Sequence, residues 1–488
     1  MQHRLFAELS AMFGREVPLY DKALAVNSAC NRAVCDILSE RHPGLQITDE
    51  QIEKTSGERH GAIRIGRPDE YRLIARFFAC FGMHPHNFYD MTAIGAKSQP
   101  VIATAFRSTY RPEHRVFTSL LVTDYFDDAT KHRIEALLAK RKVFSDEAIA
   151  LLDKHEREGG LSEADAEALI REATGRIFKW TGRATGHALY TELCDAGFKI
   201  AADFACFKAH HLNHLTPNTL CMDLYTAAMK FCMGESDRET FLGRAGRALR
   251  GLMTMSGPDW LQLHFKHLSR DEIERFGSAE MTDAELDEAA KTLTDRLSRP
   301  DLDLSTLPHA GFKDFTEGPA TDTPVLLRQD AYKALTEPVT FTEDDGTQIN
   351  TEHTARFGEI EQRFYATTPA GRALYDQCLA AFEEVRAAQP DPSKRDEEAF
   401  LSKQAEAFAP FPKTLDALLE RGLVYSIYEP TERGLAAGSI DTTDMRELVR
   451  RGFARREGQR YEDFLPVSAA GIFASNLNQY GTASTAAK

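Results

Sequence analysis

Several common signatures are missing from this chain of 488 residues. It has no GxxxxGK(S/T) phosphate loop, no GxGxxG opening a helix after a strand, no HExxH and no GxSxG. Those absences take away the usual nucleotide-binding, zinc-hydrolase and serine-hydrolase readings. The 8 cysteines (Cys30, Cys35, Cys80, Cys194, Cys206, Cys221, Cys232, Cys378) include no CxxC pair. A zinc ribbon or dithiol redox motif is therefore not expected, and reduced thiols packed as small hydrophobes are. No apolar run approaches the roughly 20 residues of a membrane span. Met1-Gln2-His3-Arg4 leads into an amphipathic helix pattern rather than the apolar core of a signal peptide. A cytoplasmic protein with no membrane partner is the expectation. Surplus positive charge is also lacking, because the formal net charge is −15. That argues against a nucleic-acid partner, which wants a basic footprint. It still allows an anionic metabolite held by a buried arginine.

With 42% hydrophobic and 27% charged residues, the chain reads as an ordinary globular protein. Apolar residues at helical spacing predict two helices over 3–42. A short strand at 60–66, closed by Gly66 and Pro68, precedes a helix over 69–82, and strands follow at 100–107 and 115–125. Residues 128–175 are charged and helical. A helix at 184–197 leads to an expected strand near 198–206. Helices are predicted at Ser236–Arg250, with Ser236 as N-cap, and at Thr282–Arg299. Strand signals return at 324–342 and 354–364, followed by helices at 369–387 and 398–421. Strands interleaved with long helices, without a βαβ period, predict an α+β fold in which helices wrap a central mixed or antiparallel sheet. We expect a single catalytic domain over 1–475, helical insertions at about 128–180 and 233–305, and a flexible tail over 476–488.

Three segments carry polar groups in strand-like surroundings. In Glu58-Arg59-His60-Gly61-Ala62-Ile63-Arg64, alternation puts His60, Ala62 and Arg64 on one face. Their backbones would span roughly 13 Å at about 3.3 Å per residue, room for a metal at one end of a small acid and a carboxylate anchor at the other. The second segment, His210-His211-Leu212-Asn213-His214-Leu215-Thr216-Pro217, has three histidines in five positions. Neutral imidazole is a common metal ligand. In the third, His353-Thr354-Ala355-Arg356-Phe357-Gly358-Glu359-Ile360-Glu361-Gln362-Arg363, alternation puts Phe357, Glu359, Glu361 and Arg363 on one face. Periodicity does not choose between Glu359 and Glu361. Two histidines and a carboxylate form the facial triad of non-haem Fe(II) oxygenases, and spacing leaves the convergence of the segments open.

The same three segments resemble the 2-oxoadipate dioxygenase/decarboxylase family, also called D-2-hydroxyglutarate synthase, over roughly residues 3–475. The resemblance implies a fold related to the vicinal-oxygen-chelate enzymes. It implies His60, His214 and Glu359 as Fe(II) ligands, and Arg64 as the clamp on the distal carboxylate of the substrate. Val467 and Ser468, in Leu465-Pro466-Val467-Ser468, would contact the substrate. The implied activity converts 2-oxoadipate and O2 to 2-hydroxyglutarate and CO2, in lysine breakdown. Oxygenation of another 2-oxo acid, or a non-oxidative metal lyase or isomerase reaction on the same scaffold, are the alternatives. The resemblance also implies a smaller helical part than residues 233–305, and a basic residue where Asn218 stands.

Overall fold

The computed structural model describes residues 1–93, 98–110, 112–307, 311–312, 316–389, 396–465 and 484–486. Its strands are β1 (Glu58–Ile65), β2 (His84–Asp90), β3 (Val101–Arg107), β4 (Arg115–Leu121), β5 (Arg183–Ala184), β6 (His214–Pro217), β7 (Leu327–Ala331), β8 (Leu335–Thr342), β9 (Gln348–Arg356), β10 (Glu359–Arg363), β11 (Ser426–Pro430) and β12 (Ala454–Gly458). β1 begins where a capped helix stops. Thr48 and Gln51 form a capping box on Asp49–Ser56, and Gly57 returns the chain to extended backbone. Ile63 and Ile65 then bury one face of β1, while His60, Ala62 and Arg64 occupy the other.

β1 lies inside a five-stranded mixed sheet of order β2-β3-β4-β1-β6. It runs parallel to β4 and antiparallel to β6, with Ala62 opposite His214 and His60 opposite Thr216. β10 pairs antiparallel with β7. It also lies along the outer edge of β6, where Phe357 N–H donates to Asn213 O (3.2 Å) and Thr219 N–H donates to Glu361 O (2.9 Å). The short β6 is therefore flanked by β1 and β10. β8 and β9 form a hairpin extended by β5, and β11 pairs with β12.

The long helix Pro18–Arg41 fixes the segment after β6. Asn27 and Asn31 donate through Nδ2 to Asn218 O (2.9 and 3.1 Å), and Asn31 Oδ1 accepts from Leu220 N–H (2.8 Å). Asn218 itself is buried and donates to Thr55 O (2.9 Å). The position where the resemblance implied a basic residue thus ties two elements together through an amide. One apolar core surrounds the main sheet and takes in Ile134, Leu152 and Leu169 from the 128–180 helices, and Leu249 and Leu293 from the 233–305 helices. A second packs Tyr375, Phe382, Phe408 and Leu418 against Leu327 and Phe364. The β7–β10 pair joins them, because Ala331 and Ile360 belong to the first core.

The mixed α+β architecture is present, and several expected elements are corrected. Residues 199–206 are a helix, Lys199–Cys206, not a strand. Ala201, Ala202 and Ala205 favour helix, and burial on every side erases the helical period. Asp237 rather than Ser236 caps the helix Arg238–Met255, accepting from Thr240 N–H. The helix expected over 398–421 is two, Glu397–Ala407 and Leu415–Glu420, because Pro410 and Pro412 interrupt it. β2 was not expected. It contains Pro85 and a bulge with Asn87 at φ 62°, so alternation is broken. All eight cysteines are free thiols. Among the described residues no helix is long and apolar enough to cross a membrane. The expected tail at 476–488 falls almost wholly outside the described residues.

Candidate metal centre

His60 on β1, His214 at the start of β6 and Glu359 at the start of β10 meet at one point. One ligand atom from each lies within 4.8 Å of the other two, the one such group of three among the described residues. His60 Nε2 is 3.3 Å and His214 Nε2 3.6 Å from Glu359 Oε2. All three side chains are buried. Local sequence explains the approach. Ala62, opposite His214 in the ladder, puts no more than a methyl group between His60 and Arg64 on that face of β1. Gly358 lets the chain pass Tyr332, whose hydroxyl would lie 2.3 Å from any Cβ there. Thr216, not singled out from sequence, places Oγ1 3.0 Å from His60 Nε2 and 3.2 Å from Glu359 Oε2. Phe464 sets its ring edge-on to His60, 4.9 Å between centroids, and Phe357 stacks on His214 at 5.3 Å.

Periodicity put Glu359 and Glu361 on one face, and the structure gives them different partners. Glu361 lies 2.7 Å from His60 Nδ1. It also accepts from Arg363 Nη2 at 2.9 Å and lies 3.7 Å from Arg115. A carboxylate on Nδ1–H fixes the imidazole tautomer and aims the Nε2 lone pair at the cluster. Burial would raise the Glu361 pKa, but Arg363 and His60 outweigh it and hold the carboxyl well below its usual range. Burial pushes the His214 pKa down to about 4, against Glu359, so His214 is a neutral donor at pH 7. For His60, burial lowers the pKa, but Glu361 and Glu359 outweigh it and raise it. Two imidazole nitrogens and a carboxylate, buried and backed by a second ionised carboxylate, suit a divalent cation of the first transition row. A cation there would take the place of the His60 proton.

Four residues along β1 the surroundings change. Arg64 is buried, and its Nη1 donates to Asp203 on the helix Lys199–Cys206. Asp203 Oδ1 lies 3.2 Å from His211 Nε2 and 3.3 Å from His353 Nε2, and Asn213 Nδ2 is 3.4 Å from Oδ2. His353 Nδ1 is 2.9 Å from the Tyr190 hydroxyl. Burial would raise the Asp203 pKa, yet His211 and Arg64 outweigh it and hold the carboxyl well below its usual value. The histidine-rich segment is thus divided. His214 joins the metal cluster and His211 joins Asp203. His210 is enclosed elsewhere, its pKa lowered by burial. Asp203 and Tyr190 were not singled out from sequence. The available signal was one charge inside Ile200-Ala201-Ala202-Asp203-Phe204-Ala205-Cys206. Val467 and Ser468 lie outside the described residues.

The sequence profile of the 2-oxoadipate dioxygenase/decarboxylase family matches residues 5–233 and 287–476. The unmatched stretch between them falls within the long helical part at 233–305. A 2-oxoadipate dioxygenase/decarboxylase from Pseudomonas putida is 35% identical over 480 residues, covering 96% of this chain and 85% of that relative. One from Escherichia coli is 31% identical, covering 96% and 86%. Among solved structures, the hydroxyglutarate synthase from Pseudomonas putida in complex with 2-oxoadipate superposes with a TM-score of 0.66. It is 32% identical, with 99% of this chain and 93% of that chain covered.

Proposed function

Because the chain belongs to the 2-oxoadipate dioxygenase/decarboxylase family, we propose that it converts 2-oxoadipate and O2 to 2-hydroxyglutarate and CO2, using Fe(II) held by His60, His214 and Glu359. One atom of O2 enters the new carboxylate and the other the new hydroxyl, so substrate plus O2 balances product plus CO2. The observation that carries the reading is the buried convergence of the two imidazoles and one carboxylate. The family's named substrate and the complex with 2-oxoadipate support the choice of acid. When bound, Fe(II) supplies chelation of the 2-oxo acid and activation of O2.

The protein's own residues bind, orient and shield. Glu361 keeps His60 turned toward the cluster. Arg64, on the same face of β1 as His60, receives the distal carboxylate and so holds the diacid along the strand. Phe464 and Phe357 cover the two imidazoles and exclude water from the ligands. Val467 and Ser468 are assigned substrate contact on the family resemblance. The joining of both cores through β7 and β10 supports reading residues 1–475 as one catalytic domain. We place the reaction in the cytoplasm, as a step in lysine breakdown.

The test is anaerobic loading with Fe(II), then O2 uptake with 2-oxoadipate and mass spectrometry under 18O2. One O2 consumed per 2-hydroxyglutarate formed, with two heavy atoms in the product, is expected. Uptake only with a different 2-oxo acid would keep the centre and change the substrate. Bound iron with no uptake on any 2-oxo acid would overturn the oxygenase reading.

A further inference from the structure

A carboxylate clamp works only if its guanidinium stays at a fixed distance from the reacting end, and a free arginine side chain has several rotatable bonds. Asp203 stands where it can remove that freedom. It projects from Lys199–Cys206, whose other side chains from Ile200 to Cys206 are apolar and buried. A lone charge in such a helix is costly unless it is paired. Its two oxygens are shared among Arg64, His211, His353 and Asn213, which come from β1, the loop before β6 and β9. The His353 ring is itself 2.9 Å from the Tyr190 hydroxyl.

We infer that Asp203, braced by His211 and His353, is a positioning residue that holds the Arg64 guanidinium for the distal carboxylate and thereby sets the preference for a dicarboxylic 2-oxo acid of one length. The inference rests on the proposed 2-oxo acid chemistry and extends it to a residue which touches no substrate. A guanidinium has five donors in a planar fork, so a carboxylate behind one edge orients the plane presented to a second carboxylate. Asn213 adjoins His214 in sequence and its backbone carbonyl accepts from Phe357 N–H, so the same network fixes the anchor relative to the metal ligands.

The test compares wild type and Asp203→Asn, loaded with Fe(II), on 2-oxoadipate and on 2-oxohexanoate, the six-carbon 2-oxo acid lacking the distal carboxylate. The expected result is a KM for 2-oxoadipate raised at least about tenfold with kcat changed far less. Affinity for 2-oxohexanoate, read as KM or as Ki, and iron content should match wild type. Asp203→Glu, which keeps the charge one methylene further out, should retain the preference for diacids and alter the order among five-, six- and seven-carbon diacids. That variant carries the test if Asp203→Asn does not fold. Wild-type kinetics in Asp203→Asn, equal losses on both acids, or an unchanged length profile in Asp203→Glu would overturn the inference. A wild-type enzyme that turns over no 2-oxo acid would instead fail the functional proposal, and this inference with it.

Discussion

His60 and Arg64 share one face of β1, yet they meet opposite electrostatic settings. Around His60 two carboxylates converge on imidazoles, and the His60 pKa is raised. Around Arg64 a fixed cation and a fixed anion face each other, with Asp203 held well below its usual pKa. On the proposed function an added cation completes the first end, whereas the second is already compensated. A strand therefore separates a site that recruits charge from one that positions it, and the difference arises from which helix or strand packs opposite each residue.

The largest effect should come from the His60 end. His60→Ala and His214→Ala each remove one of three donors, so bound iron should fall from one per chain to background in equilibrium dialysis. Retention of stoichiometric iron by either variant would remove that histidine from the ligand set. At the other end, Arg64→Ala should leave iron content unchanged and lower kcat/KM for 2-oxoadipate. The loss should be roughly 2–4 kcal/mol in transition-state binding, as expected for a missing charge-assisted contact. Loss of iron in Arg64→Ala would erase the distinction between the two ends.

The strand carrying both residues was legible in the sequence, because Ile63 and Ile65 alternate with His60, Ala62 and Arg64 and Gly66-Arg67-Pro68 ends the run. The partners were not. Asp203 was hidden in a segment whose uniform burial imitates a strand. Glu359 and Glu361 are equivalent by period. They differ through contacts with distant segments: Glu359 meets His60 on β1 and His214 and Thr216 on β6, whereas Glu361 meets the other nitrogen of His60 and Arg115 on β4. The bulged β2 and the proline-split helices at 397–420 were lost for local reasons, an Asn at positive φ and a Pro-Phe-Pro step.

A smaller effect lies outside both ends. Burial pushes the His114 pKa down to about 3, helped by Arg59, and that of His264 down to about 3, helped by Arg460. Their folded pKa values lie below the unfolded value, so the unfolded chain binds more protons between about pH 6.5 and 3. Stability should therefore fall on acidification from about pH 6.5, by up to about 1.4 kcal/mol per pH unit for each group. Denaturant midpoints measured from pH 7 to pH 5 check this. A flat profile would contradict the burial of these neutral rings, and His264→Gln should make the slope shallower.

The most direct test of the account is the comparison of Glu359→Gln with Glu361→Gln in anaerobic Fe(II) dialysis. Glu359→Gln should bind no iron at the concentration that saturates wild type. Glu361→Gln, which loses only the carboxylate on His60 Nδ1, should still bind one iron with affinity weakened about 10–100-fold. Full binding by Glu359→Gln together with complete loss in Glu361→Gln would reverse the two roles and contradict the metal centre described above.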